Sequence, residues 1–281
     1  CYTVTRVLKG SGLSSSAAFE VLVVTVLSHL YNDGKIDPIT AAIISQYAEN
    51  VYFGKPSGLL DQMASSVGGV TAMDFKDPAA PVVEKVEFDL ASYGHALCVV
   101  DTGGNHADLT GDYASIPAEM KAVAQVFGKE YLRDVEEEDF YRDLAKARAA
   151  AGDRAVLRAM HFFDDDRLAQ EEAQALKEGD FQTFLSLVNR SGQSSLMRLQ
   201  NVFAPSQAKE QGITLALALS QRLLQGQGAC RVHGGGFAGT IQAYVPFSLL
   251  ESYRQGMESV FGAGSCYVLS FRQAGGTKVL L

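Results

Sequence analysis

The chain has 281 residues, 47% of them hydrophobic and 20% charged, which is the composition of a folded globular protein and excludes a disordered one. The net charge is −8 and no run of Lys and Arg exceeds two residues. Nucleic acid and anionic membrane surfaces, which require concentrated positive charge, are therefore excluded as partners.

The cysteines and the apolar segments indicate the compartment. The four cysteines are Cys1, Cys98, Cys230 and Cys266. None forms a C-x-x-C pair, so neither a zinc site nor a disulfide framework is indicated. The most apolar run, residues 21–27, is shorter than the roughly 20 residues that span a bilayer. The opening CYTVTRVLKGSG does not have the pattern of a signal peptide. We predict a cytoplasmic protein without a membrane segment.

The first predicted elements are a strand, a glycine turn and three helices. Alternation of β-branched residues predicts a strand over 2–8, followed by the turn KGSG. Helices are predicted over 14–32, over 38–53 after Asp37-Pro38, and over 61–67, where Asp61 is positioned to cap the helix. The strands that follow are predicted over 70–75, 82–90 and 95–103.

The second half of the chain is predicted to be helical first and then mixed. A long helical stretch runs from Asp112 to Gln225, with turns near Gly152, Gly179-Asp180 and Ser191-Gly192. Strands are then predicted over 229–236, 240–246 and 266–272, with a helix over 249–262. Because strands and helices do not alternate regularly, the pattern indicates an α+β fold of two domains.

The stretch GSGLSSSA, residues 10–17, combines glycines, serines and the start of a helix. Glycines let a ligand approach the backbone, and the N–H groups at the positive end of a helix favour phosphate. A serine hydroxyl also suits Mg²⁺, which prefers oxygen ligands. The alternative is that Ser14, Ser15 and Ser16 only cap an ordinary helix. A Walker A loop is excluded, because G-x-x-x-x-G-K-[ST] is absent.

Two further stretches carry residues suited to the same chemistry. In AENVYFGKPSGLLDQ, residues 48–62, Glu49 and Asp61 flank a Gly-Pro turn. One carboxylate could serve a metal and the other an attacking hydroxyl; the alternatives are a solvated Glu49 and a helix-capping Asp61. In GACRVHGGGFAG, residues 228–239, glycines allow close packing beside a phosphate, although a glycine run by itself most often marks a turn.

In this order, the three stretches resemble the phosphate loop, the Glu/Asp segment and the C-terminal glycine motif of the GHMP small-molecule kinases, in the form found in galactokinases. The segment DTGGNHADLTGDY resembles the galactokinase segment whose tyrosine, here Tyr113, contacts the sugar. The resemblance implies the α+β two-domain GHMP architecture. Residues 1–82 would be a truncated remnant of a ribosomal-S5-like N-terminal domain that binds ATP, and residues 83–281 a ferredoxin-like C-terminal domain.

The resemblance also implies a role for each residue. The ATP phosphates would lie on Gly10, Ser11, Gly12, Leu13, Ser14, Ser15, Ser16, Gly234, Gly235 and Gly236. Ser16 and Glu49 would hold Mg²⁺. Galactose would lie against Gly58, Asp61 and Tyr113, with Asp61 as the catalytic residue beside the C1 hydroxyl. The implied reaction is ATP-dependent phosphorylation of that hydroxyl.

Some positions depart from the family pattern. His233 replaces the usual Thr of the glycine motif, and we expect this histidine to be structural. Ser57 stands where galactokinases often have Cys, and Leu8 where the loop usually begins with Pro. These departures leave open a related kinase acting on N-acetylgalactosamine or arabinose, and a non-catalytic sugar sensor.

The first motif of the family is absent from these residues. In galactokinases an arginine upstream of GEHTDY binds galactose and assists the catalytic aspartate, and no such string occurs here. We therefore expect this chain, which opens on Cys1, to be the larger C-terminal part of a galactokinase. Its missing N-terminal segment would then be a required partner, and the chain alone would be inactive.

Overall fold

The computed structural model describes residues 2–5, 7, 13–54, 57–104 and 109–279. The chain divides into two compact units, one formed by Cys1–Asp89 with Ser270–Leu281 and the other by Leu90–Leu269. The domain boundary at residue 82 stays a prediction. In the structure, Val82 opens a strand that pairs within the first unit.

The described residues of the first unit form three α-helices, a π-helix and a two-stranded sheet. The α-helices are α1 (Ser15–Tyr31), α2 (Pro38–Tyr47) and α3 (Leu60–Val67). The π-helix, Ala48–Tyr52, continues directly from α2. Strands β1 (Val70–Asp74) and β2 (Val82–Val86) pair antiparallel.

Local sequence explains where α2 begins and how α3 is held. One oxygen of Asp37, Oδ1, accepts hydrogen bonds from the backbone N–H groups of Ile39 and Thr40, both at 3.0 Å, and so satisfies two donors of the first turn. The buried side chains of Ala42 and Met63 then pack together between α2 and α3. This apolar contact fixes α3 against α2.

The described residues of the second unit contain a four-stranded antiparallel sheet. Its strands are β3 (His95–Asp101), β4 (Ala229–Val232), β5 (Thr240–Pro246) and β6 (Cys266–Leu269), in the order β4-β5-β3-β6. Two helices, α9 (Gly212–Leu224) and α10 (Leu250–Phe261), pack on the sheet. The core between them includes Ile241, Tyr253 and Met257, each no more than 1% exposed. Burial of these large side chains supplies the main driving force for this part of the fold.

A helical region joins β3 to β4. Its helices are α4 (Thr110–Val126), α5 (Glu137–Arg142), α6 (Leu144–Ala151), α7 (Asp153–Glu178) and α8 (Phe181–Ser194). These helices bury a second apolar core around Val123, Phe140 and Ala159.

A buried ion pair ties α4 to α7. Arg158 is 1% exposed, and its Nη1 donates to Glu119 Oε2 at 2.9 Å and to Ser115 Oγ at 2.8 Å. Burial lowers the pKa of Arg158, and the neighbouring Glu119 carboxylate opposes that shift. The carboxylate of Glu119 therefore helps to compensate the positive charge of Arg158, which is removed from water.

The structure confirms the α+β fold and most of the predicted elements, but the strand predicted over 2–8 is wrong at residues 2–5. Those residues form no strand, and the side chains of Tyr2 and Val4 are 91% and 70% exposed. A strand requires a neighbour for its backbone hydrogen bonds, and apolar alternation stabilises it only when one face is buried. Neither condition is met at residues 2–5.

The turn predicted at Ser191-Gly192 is also wrong, because α8 continues through it to Ser194. Gly192 instead allows α8 to pack closely against β4. A Cβ atom at this position would lie 3.0 Å from the carbonyl oxygen of Cys230 and from Cβ of Arg231. Glycine therefore lets α8 approach β4, which the sequence pattern does not distinguish from a turn.

Within the described residues, no helix is both long enough and apolar enough to cross a membrane.

Candidate active site

Helix α1 begins in the predicted phosphate loop. Gly10, Ser11 and Gly12 lie outside the described residues, so the structure describes only the second half of the loop: Leu13, Ser14, Ser15 and Ser16. Ser14 adopts the left-handed conformation, with φ of +53°, and its side chain makes no capping hydrogen bond. The first turn of α1 carries no acidic residue. The reading of Ser14 as an ordinary helix cap is therefore not supported, and the positive end of α1 remains suited to an anion.

Ser16 and Glu49, the two predicted metal ligands, lie side by side. Ser16 Oγ donates a hydrogen bond to Glu49 Oε1 at 3.1 Å. Ser16 belongs to the first turn of α1, whereas Glu49 belongs to the π-helix after α2 and is 4% exposed. Packing of α1 against α2 thus brings a buried carboxylate to the helix start where the sequence predicts phosphate.

The π-helix and Ser57 orient this carboxylate. A π-helix inserts an extra residue per turn and often occurs at functional sites. Here both Glu49 and Asn50 contact Ser57, whose hydroxyl donates to Glu49 Oε2 at 2.7 Å. The backbone N–H of Ser57 donates to Asn50 Oδ1 at 2.8 Å. Ser57, which departs from the galactokinase pattern, is therefore part of the surroundings of Glu49.

Asp61 and Gln62 are neighbours in the first turn of α3 but lie in different environments. Gln62 is 0% exposed, and its Nε2 donates to Glu49 Oε2 at 2.8 Å. Asp61 is exposed. Because successive helical residues point about 100° apart, burying Gln62 leaves Asp61 on the open side of the same turn. The prediction that Asp61 caps α3 is wrong, since the cap residue is Leu59.

Gly58 lies just before α3 and is exposed. Among the described residues, a Cβ atom at this position would have no neighbour within 4 Å. The predicted contact of Gly58 with sugar stays a prediction.

In the second unit, Tyr113 and the glycine motif are in direct contact. Tyr113 lies at the start of α4, and its hydroxyl donates to the carbonyl oxygen of Gly236 at 2.7 Å. Burial raises the pKa of Tyr113, which keeps the hydroxyl protonated as a donor. A Cβ atom at Gly235 would lie 2.8 Å from a ring carbon of Tyr113, so glycine at 235 makes room for the ring. The predicted sugar-contacting tyrosine therefore meets the predicted phosphate motif.

Gly236 also lies close to the backbone of Asn201. It has φ of +80°, and a Cβ atom there would lie 2.0 Å from the carbonyl oxygen of Asn201. Gly234 has a similar φ of +68°, but no described residue would lie within 4 Å of a Cβ atom there. His233 Nδ1 lies 2.9 Å from Gln242 Oε1, a contact of the structural kind expected for this histidine.

Glu172 on α7 carries a buried carboxyl group that interacts electrostatically with Arg231 of β4. Glu172 Oε1 is buried and has no hydrogen-bond partner among the described residues. Burial raises the pKa of Glu172 to about 7, with Arg231 acting in the opposite direction and Asp165 in the same direction. This side chain therefore changes charge near neutral pH.

Galactokinases of other organisms are similar to this chain over most of its length. It is 31% identical over 259 residues to the galactokinase of Streptomyces coelicolor, covering 90% of this chain and 62% of that protein. It is 28% identical over 251 residues to the galactokinase of Mannheimia succiniciproducens, covering 87% of this chain and 60% of that protein. The chain thus spans about 60% of the length of these relatives.

Solved structures share the fold. Lactococcus lactis galactokinase complexed with galactose matches with a TM-score of 0.76 and 24% identity, over 97% of this chain and 69% of that one. The mevalonate kinase of L. major matches with a TM-score of 0.58 and 17% identity, over 95% of this chain and 66% of that one. Residues 2–69 match the family described as GHMP kinases N terminal domain. The chain is thus similar to the GHMP kinases over residues 2–69 and to galactokinases over about 90% of its length.

The spacing of the two predicted ligands, Ser16 and Glu49, fits a magnesium ion. Oxygen ligands about 2.1 Å from an octahedral ion lie about 3.0 Å from one another when adjacent. Ser16 Oγ and Glu49 Oε1 are 3.1 Å apart, and both are hard oxygen donors. The described residues contain no group of three or more His, Cys, Asp or Glu side chains able to hold a metal. The remaining ligands of an ion between Ser16 and Glu49 would therefore have to be phosphate oxygens and water.

Three residues around Glu49 were not predicted from the sequence as parts of the site: Glu20, Ser57 and Gln62. Gln62 Nε2 donates to Glu20 Oε2 at 3.1 Å as well as to Glu49. One signal was available for Glu20, because it follows Ser16 by four residues and so shares its helix face. The roles of Ser57 and Gln62 depend on how the helices pack and have no local signature.

Proposed function

We propose that this chain is part of an ATP-dependent sugar kinase that phosphorylates the C1 hydroxyl of galactose. The observation that carries the proposal is the hydrogen-bonded pair of Ser16 and Glu49 at the start of α1. It combines an anion-favouring helix end with two oxygen ligands for a divalent cation, which is what transfer of a phosphoryl group requires. The similarity to galactokinases supports galactose as the acceptor.

Each residue has a physical task in this proposal. The backbone at the start of α1 binds the phosphates of ATP, and the phosphate contacts of Gly234, Gly235 and Gly236 in the second unit stay a prediction from the sequence. Ser16 and Glu49 hold Mg²⁺, which when bound neutralises negative charge on the phosphate oxygens. Phosphoryl transfer is mainly a matter of positioning and charge stabilisation, so no covalent intermediate on the protein is needed.

Asp61 acts on the acceptor. Its exposed carboxylate accepts a hydrogen bond from the C1 hydroxyl and orients it toward the γ-phosphorus. As the new O–P bond forms, the bond from that phosphorus to the β,γ-bridging oxygen breaks, and the hydroxyl proton passes to Asp61. The contact of Tyr113 with the sugar stays a prediction from the sequence.

The activity is proposed for a protein that combines this chain with the region its relatives have outside the match. Two observations support this part of the proposal. The chain spans about 60% of those relatives, and α1 exposes an apolar stripe in which Phe19 is 56%, Leu27 48% and Leu30 66% exposed. An apolar stripe along one helix face normally packs against another part of the protein.

The test compares the chain alone with a chimera. The chimera joins this chain to the part of the Streptomyces coelicolor galactokinase that precedes the matched region, and the intact relative serves as the folding and activity control. ADP formation is measured with galactose, N-acetylgalactosamine or arabinose as acceptor. We expect galactose-dependent ADP formation by the chimera and none by the chain alone.

Each other result changes the proposal in a defined way. Turnover of N-acetylgalactosamine or arabinose in preference to galactose would replace the substrate. ATP and galactose binding without turnover by a folded chimera would favour a non-catalytic sugar sensor. Full activity of the isolated chain would show that it needs no additional segment.

A further inference from the structure

The two oxygens of the Glu49 carboxylate have different partners. Oε1 accepts the hydrogen bond from Ser16 Oγ on α1 at 3.1 Å. Oε2 accepts two hydrogen bonds, from Ser57 Oγ at 2.7 Å and from Gln62 Nε2 at 2.8 Å. Two donors on one oxygen, coming from two separate segments, fix the plane of the carboxylate and direct Oε1 toward Ser16.

Gln62 occupies its position at some cost in stability. The side chain is 0% exposed, and its Oε1 is buried without a hydrogen-bond partner among the described residues. Burying an amide oxygen in this way destabilises the folded protein, a penalty that a methionine of similar size would avoid. The amide therefore has to be explained by its N–H groups.

Those N–H groups contact two carboxylates. Gln62 Nε2 donates to Glu49 Oε2 at 2.8 Å and to Glu20 Oε2 at 3.1 Å. Two carboxylates that share one donor nitrogen are close enough to repel each other. A neutral amide that donates to both holds them in place without adding a charge. A lysine here would supply the same donors but would also add a positive charge beside the proposed cation site.

We propose that Gln62 is a positioning residue for the metal: together with Ser57 it holds Glu49 Oε2, so that Oε1 is presented to Ser16 and to the divalent cation that accompanies ATP. This inference rests on the proposed function, in which Ser16 and Glu49 are the protein ligands of that cation. Residues that orient a metal ligand in this way typically change metal affinity by about 10-fold to 100-fold when they are removed.

The experiment measures how strongly Mn²⁺, used in place of Mg²⁺, tightens ATP binding to the 281-residue chain. The affinity for ATP is determined by calorimetric titration, once with Mn²⁺ and once with a chelator, for the parent, Gln62→Met and Ser57→Ala. Ser66→Ala is the matched control, because Ser66 is a buried serine of the same helix whose hydroxyl donates to the carbonyl oxygen of Pro38 at 2.7 Å instead.

We expect Gln62→Met and Ser57→Ala each to reduce the Mn²⁺-dependent tightening at least about tenfold. The affinity measured with the chelator should stay the same, and Ser66→Ala should match the parent in both conditions. A purely structural role for Gln62 would not produce this selective loss. If Gln62→Met fails to fold, as judged by thermal unfolding, Ser57→Ala still tests the inference, because it removes the other donor to Oε2.

Two results would overturn the inference in different ways. Tightening by Mn²⁺ in the parent, together with equal tightening in folded Gln62→Met and Ser57→Ala, would reject the positioning role and leave the proposed cation site intact. Absence of any tightening in the parent would reject the cation site itself, and the role of Gln62 with it.

Discussion

Two glycines of the same motif, Gly234 and Gly236, allow a matched test of why the motif is glycine-rich. Both have positive φ, +68° and +80°. At Gly234 a Cβ atom would meet no described residue within 4 Å, whereas at Gly236 it would lie 2.0 Å from the carbonyl oxygen of Asn201. Substituting alanine therefore adds only backbone strain at the first position, but strain and a backbone collision at the second.

The magnitudes follow from this difference. The left-handed conformation costs a residue with a Cβ atom about 1–2 kcal/mol, so Gly234→Ala should destabilise by about that amount. Gly236→Ala bears the same cost and must also displace the backbone of Asn201 or break the hydrogen bond from Tyr113 to the Gly236 carbonyl. We expect Gly236→Ala to lower the free energy of unfolding by more than about 4 kcal/mol, which few single substitutions do.

Urea unfolding of both variants, followed by circular dichroism, measures these losses. For a unit of this size, each kcal/mol corresponds to about 2–4 °C in Tm, so thermal unfolding should separate the variants clearly. Equal losses for Gly234→Ala and Gly236→Ala would refute the reasoning, because they would mean that the contact with Asn201 is not what requires glycine at 236.

Three further predictions concern activity, pH dependence and charge burial. In the active chimera, Asp61→Asn should lower kcat far more than it weakens galactose binding, and equal turnover would reject Asp61 as the catalytic residue. Between the ordinary carboxyl pKa of 4.5 and about 7, folded Glu172 keeps a proton that the unfolded chain releases. The contribution of Glu172 to the free energy of unfolding should therefore fall as pH rises through this range, by at most about 3 kcal/mol. The difference in this free energy between the parent and Glu172→Gln should change by that amount, and parallel curves for the two proteins would contradict this. Glu119→Gln, which removes the carboxylate paired with buried Arg158 and with Arg154, should cost up to about 3 kcal/mol in urea unfolding and more than Arg158→Met; the reverse order would contradict the ion-pair interpretation.

The sequence alone determined the features that depend on local preference. The period of apolar residues predicts the helices, and Asp37-Pro38 marks the start of α2 because aspartate caps the first turn and proline needs no backbone donor there. The residue types suited to phosphate and metal, Ser16 and Glu49 among them, could also be identified by their chemistry and order. Helix caps, proline positions and apolar periodicity can be recognised in the sequence because each depends on only a few neighbouring residues.

Only the tertiary structure decided how these residues are placed. Glu49 reads locally as a solvated side chain, yet packing of α1, α2 and α3 buries it against Ser16, 33 residues away in the chain. The contact of Tyr113 with Gly236 spans 123 residues. In the same way, Gly192 reads as a turn but lies inside α8, where it allows contact with β4. Such pairings depend on the shapes of whole elements packing together, and no window of neighbouring residues contains that information.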